Sequence, residues 1–200
     1  MKQTILAASV IGTILLSAFT ATHSESYKAD TKLSSLEWTG EKMGGAHNGI
    51  IMLSSGEIKN DHGNLSAVFV IDMNSIKTKD IQGEWAVKLD DHLKAPDFFD
   101  AVKYPTATFV STSITPVQEV KQDGFTHTIK GNLTIKDKTN EITFGAVIKM
   151  QGNTIGCMGT AIVDRSKFDI KTGSKTFFPE IGDKIIYDEF KLKFNVVAVK

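Results

Sequence analysis

Two hundred residues carrying 23 basic and 23 acidic side chains, dispersed rather than blocked, leave room for one sizeable core and no net field. Nucleic acid is thereby excluded as a partner, because a phosphate backbone asks for a basic face. A lone cysteine, Cys157, rules out an internal disulfide and leaves stability to apolar burial.

The chain opens with Lys2 and the apolar run 5–19, the pattern of a secretory signal. The run is shorter than the roughly 20 residues that span a bilayer, and polar Thr20, Thr22, His23 and Ser24 follow it. The expected division is a signal peptide over 1–21, a short polar leader over 22–33 and one domain over 34–200. The mature protein is expected to be soluble and exported, with no stable membrane insertion.

From Ser34 onward the apolar residues alternate. Leu65, Ala67, Phe69 and Ile71 share one face. Ile142, Phe144, Ala146, Ile148 and Met150 share another, and Phe190, Leu192, Phe194, Val196 and Ala198 oppose Lys191, Lys193 and Asn195. Turn signals at Ser55-Gly56, Asp61-His62-Gly63, Asp123-Gly124, 137–140 and Gly152-Asn153 punctuate the runs. Short hairpins with one apolar face per strand predict an all-β, closed antiparallel barrel of about eight strands. Two breaks read as helical, 81–99 and 165–170, and are expected to cover the barrel ends.

The first break holds the densest local information. Pro96 stops a helical turn, Asp97 is placed to cap the next one, and Pro105 forces Tyr104 extended ahead of a strand over 106–114. Phe98, Phe99, Tyr104, Phe109 and Phe168 are the candidates for contact with an apolar ligand, although each is also explicable as ordinary core. Phe177-Phe178-Pro179, in a loop, reads as a cavity cap or a contact patch, and exposed loop aromatics leave a homodimer open.

Catalytic signatures are absent from the sequence. It holds no Gly-rich phosphate loop, His-Glu-x-x-His, Cys-x-x-Cys or Gly-x-Ser-x-Gly. The neighbouring carboxylates Asp90/Asp91 and Asp188/Glu189 would face opposite sides of a strand. His47, His62, His92 and His127 lack ligand spacing, so no enzyme activity, metal or cofactor is expected. Cys157 reads as a small buried hydrophobe. Two polar residues stand out. His47, flanked by Gly44-Gly45 and Gly49, is either a headgroup contact at a cavity mouth or a structural histidine bonded to a loop. Arg165, the only arginine among 22 lysines, is either an ion-pair partner of Asp164, Asp169 or a distant carboxylate, or a planar donor to a polar headgroup.

The chain resembles the YceI-like family. The resemblance is carried by His92–Asp100, by Tyr104–Phe109, by Gly45-Ala46-His47-Asn48-Gly49 after the Trp38 strand, and by 131–136 with Thr139 and Glu141. It continues through 164–170 and Ile181-Gly182-Asp183. It implies a lipocalin-like barrel, a periplasmic or secreted location, and an isoprenoid or other long-chain lipid as partner. Phe98, Phe99, Tyr104, Phe109 and Phe168 would then face the tail, and His47 and Arg165 the headgroup. The competing expectation is a barrel filled by its own side chains that binds proteins through its loops.

Overall fold

The alternation becomes nine antiparallel strands in the computed structural model, which describes residues 24–120, 122 and 124–200. They are β1 (Glu25–Ala29), β2 (Ser35–Lys42), β3 (Gly45–Asp61), β4 (Asn64–Thr78), β5 (Thr106–Pro116), β6 (His127–Ile135), β7 (Lys138–Gln151), β8 (Thr154–Asp164) and β9 (Ile186–Val199). One helix, α1 (Gly83–Lys94), joins β4 to β5, and single 3-10 turns occupy Arg165–Phe168 and Gly182–Lys184. The expected signal peptide lies outside the described residues. Among the described residues no helix is long and apolar enough to cross a membrane.

Strands β2 to β9 pair in sequence order, and β2 pairs with β9 to close an eight-stranded barrel. β1 falls within the segment expected to be a leader. It extends the place of β2 at the far end, pairing with β3 from Glu25↔Asn60 and with β9 at Lys28↔Val199. Tyr27 makes this so: an apolar ring on a five-residue strand, buried with Ile58, Ala67, Ile155 and Ala198.

The predicted faces hold through β4 and β9, whose alternate residues are buried or half-buried. In β7 the pattern holds to Ile148, and Met150 emerges at the barrel's end. The hairpin at His62-Gly63 forms with both residues in the left-handed region, as a tight two-residue turn demands. Two turn expectations are corrected. Ser55-Gly56 is not a turn but lies inside β3, where Gly56 makes room for the ring of its partner Phe69. The β6–β7 turn sits at Lys136-Asp137, both left-handed, so that 138–140 already belongs to β7. The same device recurs elsewhere, because a ring can lie flat on the barrel wall only over a residue without Cβ: Phe109 lies over Gly131 and Phe194 over Gly159.

Candidate functional site

The inward faces do not fill the barrel. An apolar cavity of about 270 Å³ lies beneath α1, and a second of about 80 Å³ lies deeper. Ile71, Leu133, Val163 and Leu192, from β4, β6, β8 and β9, line both. The deeper chamber is lined by apolar side chains only. The polar residues lining the upper one are Glu41, Lys42, His47, His92, Tyr187 and Arg165, the last of them fully buried.

A short lid covers the upper chamber. α1 contributes Leu89, His92 and Leu93, one helical face at i, i+3 and i+4 spacing. The helix is fastened to β4 by Asp90, whose buried carboxylate accepts the Thr78 amide at 2.6 Å and the Lys77 ammonium at 2.8 Å. Burial alone would raise this carboxyl, but those bonds outweigh it and hold it below the ordinary aspartate range.

The helix stops at Ala95, ahead of Pro96. The next turn is closed by main-chain bonds from the Phe98 amide to the Ala95 carbonyl and from the Phe99 amide to the Leu93 carbonyl. Asp97 therefore does not cap it as expected; its carboxylate lies 4.0 Å from His92, and its carbonyl accepts the Thr172 hydroxyl at 2.5 Å. Lys136 donates to the Phe98 carbonyl at 2.9 Å, tying the lid to the β6–β7 hairpin.

The structure divides the expected tail contacts. Phe98 and Phe99 line the upper chamber and Phe109 the lower. Phe168 is buried in the core but lines neither, since its 3-10 turn packs behind the wall, where Asn140 bonds the Lys167 carbonyl. Tyr104 lines neither; it is half-buried, with the Lys103 ammonium 5.0 Å from its ring. Phe177 and Phe178 line neither chamber, and Phe178 is 51% exposed.

Arg165 reaches the upper chamber, its guanidinium 5.5 Å from the Phe98 ring. Its donors are committed to main-chain carbonyls: Nε to Tyr187 at 3.2 Å, Nη1 to Ile170 at 3.0 Å and Nη2 to Ile186 at 2.8 Å. Of the carboxylates weighed for it, the distant one is the partner, Asp188 at 3.4 Å. Asp164 instead caps the 3-10 turn through the Ser166 amide, and Asp169 pairs with Lys171.

His47 stands on the rim, its Nδ1 2.8 Å from Asp80, whose other oxygen accepts the Asn48 amide at 2.9 Å. Burial alone would raise the Asp80 carboxyl; the Asn48 amide and the His47 ring hold it below the usual range. Cys157 lines the lower chamber, and burial pushes its thiol up to about 12. Among the described residues no group of three or more His, Cys, Asp or Glu is placed to hold a metal.

Much of the lining was not singled out from sequence: Trp38, Ile51, Met73 and Ile76 above, and Leu36, Leu53 and Ile129 below. The signal that finds them is the same alternation, on the inward faces of β2 and β6 for Leu36, Trp38 and Ile129 and, for the others, continued past the bulges that shift the β3–β4 register between Ile50 and Met52 and between Leu53 and Ser55.

Comparison with known proteins gives a consistent family. The model of the YceI-like domain matches residues 27–198. Protein YceI of Escherichia coli is 42% identical over 64 residues, 32% of this chain and 30% of that protein. A UPF0312 protein of Pseudomonas paraeruginosa is 39% identical over 88 residues, 41% of this chain and 43% of that one. The chain thus aligns with less than half the length of these relatives. Among solved structures, BcnA of Burkholderia cenocepacia superposes with a TM-score of 0.68 at 28% identity, covering 86% of this chain and 99% of its own. A polyisoprenoid binding domain from Saccharophagus degradans, implicated in plant cell wall breakdown, gives a TM-score of 0.59 at 14% identity, covering 86% of this chain and 97% of its own. With the barrel, the lidded cavity and a family match over nearly all the described residues, the chain belongs to the YceI-like domain family.

Proposed function

We propose that this protein is an exported, non-enzymatic carrier that holds one long-chain amphiphile with its tail in the barrel and its headgroup at the rim. The observation that carries the reading is the apolar cavity of about 270 Å³ under a lid, continued by a second chamber. Small-molecule sites begin at roughly 300 Å³ and are mostly apolar with a few polar groups at one end. Each buried methylene contributes about 0.8 kcal/mol, so such a chamber binds a tail without polar recognition along it. Phe98, Phe99 and Phe109 are the proposed tail contacts, while His47 and the edge of Arg165 meet the headgroup. An isoprenoid, such as a quinone or a polyprenyl phosphate, is the favoured class, supported by the polyisoprenoid binding domain that shares this barrel; fatty-acid derivatives come next. The run 5–19 supports export, to the periplasm or beyond.

The test is mass spectrometry of the lipid extracted from protein exported and purified without detergent, with native mass spectrometry of the intact species. A stoichiometric prenyl or acyl compound is expected. A clean unliganded mass, with no uptake of added quinone or polyprenyl lipid, would overturn the reading and turn attention to the exposed Phe178 loop as a protein contact.

A further inference from the structure

The interior is not one tube. Ile71, Leu133, Val163 and Leu192 line both chambers, on four different strands, and so stand as a ring where the two meet. On the wall of the lower chamber three rings meet in tilted and edge-to-face contact, Phe109 to Phe144 at 5.6 Å and Phe144 to Phe194 at 5.4 Å between centroids. Ile58 and Ile155 line the same chamber and pack with Tyr27 of β1, which backs the barrel's far end. This chamber offers water no polar partner, and a void without polar groups stays dry. It is a space that only an apolar terminus can fill.

We infer that the Ile71–Leu133–Val163–Leu192 ring admits the end of the bound tail to the lower chamber, and that the ring with the Phe109–Phe144–Phe194 layer sets the tail length the protein selects. The inference rests on the carrier reading above and adds its selectivity. A tail too short to pass the ring leaves the lower chamber empty. Each further methylene that enters it tightens binding about fourfold. Once the terminus has filled the space between the phenylalanines and the Ile58–Ile155 end, added units stay outside the barrel and affinity levels off.

The experiment is calorimetric titration of delipidated, full-length mature protein with ubiquinones of graded prenyl length. The wild type, Leu192→Phe, which narrows the ring, and Phe144→Leu, which deepens the chamber, are compared. The expected result is a wild-type affinity that rises with length to a plateau. In Leu192→Phe the plateau comes at a shorter tail and is on the order of tenfold to a hundredfold weaker; in Phe144→Leu it moves to a longer one. Should Leu192→Phe fail to fold, Phe144→Leu carries the test alone. Wild-type binding with a length profile unchanged in the folded variants would overturn the inference and leave the carrier intact. No binding of any length by the wild type would overturn both.

Discussion

The indole of Trp38 lies flat on Gly49, its direct partner across the β2–β3 ladder, and donates Nε1–H to the Ile50 carbonyl at 3.2 Å. A Cβ on Gly49 would stand 2.6 Å from the ring and would also strike the Lys77 carbonyl of β4. Gly49→Ala is therefore expected to destabilise the barrel by about 1–3 kcal/mol. A thermal melt should show this as a fall of roughly 5 °C.

Trp38 is also a reporter. It lines the upper chamber, whereas Trp85, the only other tryptophan, projects from α1 and is 71% exposed. A quinone bound in the chamber should quench most of the fluorescence of a Trp85→Phe protein and little of that of Trp38→Phe. Equal quenching of the two would place the quinone outside the barrel.

Arg165 holds three carbonyls of two separate segments with one planar group. Arg165→Lys keeps the charge but loses the fork, leaving buried carbonyls unpaired, and should cost about 2–4 kcal/mol by chemical denaturation. If Arg165 served the headgroup alone, ligand affinity would fall while stability stayed at the wild-type value.

The lid's attachment should depend on acid. The folded Asp90 carboxyl is held below its ordinary value, so the unfolded chain binds the proton more tightly. The stabilisation is complete above about pH 4 and is lost as pH falls through the lower folded value. Hydrogen exchange of α1 amides, corrected for intrinsic rates, should accelerate across that window before exchange in β6 to β8 does. In Asp90→Asn it should be faster already at neutral pH.

Cys157, buried and with its thiol pushed up to about 12, should resist a thiol reagent at pH 8 for as long as the barrel is folded. Labelling in denaturant should be complete. Rapid labelling of the native protein would show that the lower chamber is open to solvent.

The sheet was legible because its period is strict: one buried face per strand makes Phe190, Leu192 and Phe194 point inward without further information. Aromatic content alone read the site less well. Phe98 and Phe99 reach the chamber, but Tyr104, in the same stretch, stays outside because Pro105 and the bond from its amide to Asp100 turn it away. His47 and Arg165 were found as unusual residues, yet their partners, Asp80 and Asp188, lie 33 and 23 positions away and carry no local signal. β1 escaped notice because five residues around one buried tyrosine do not make a period.

The seam between β2 and β9 has a kinetic meaning. The Val197 amide donates to the Ser34 hydroxyl at 3.1 Å across a sequence separation of 163 residues, and β1 meets β9 at its last positions. The ring of strands stays an open curl until the final strand has emerged, and such non-local pairing is slow to form, on the order of milliseconds to seconds. Closure is thus a late event that engages β1, β2 and β9, the first two and the last of the described strands, together.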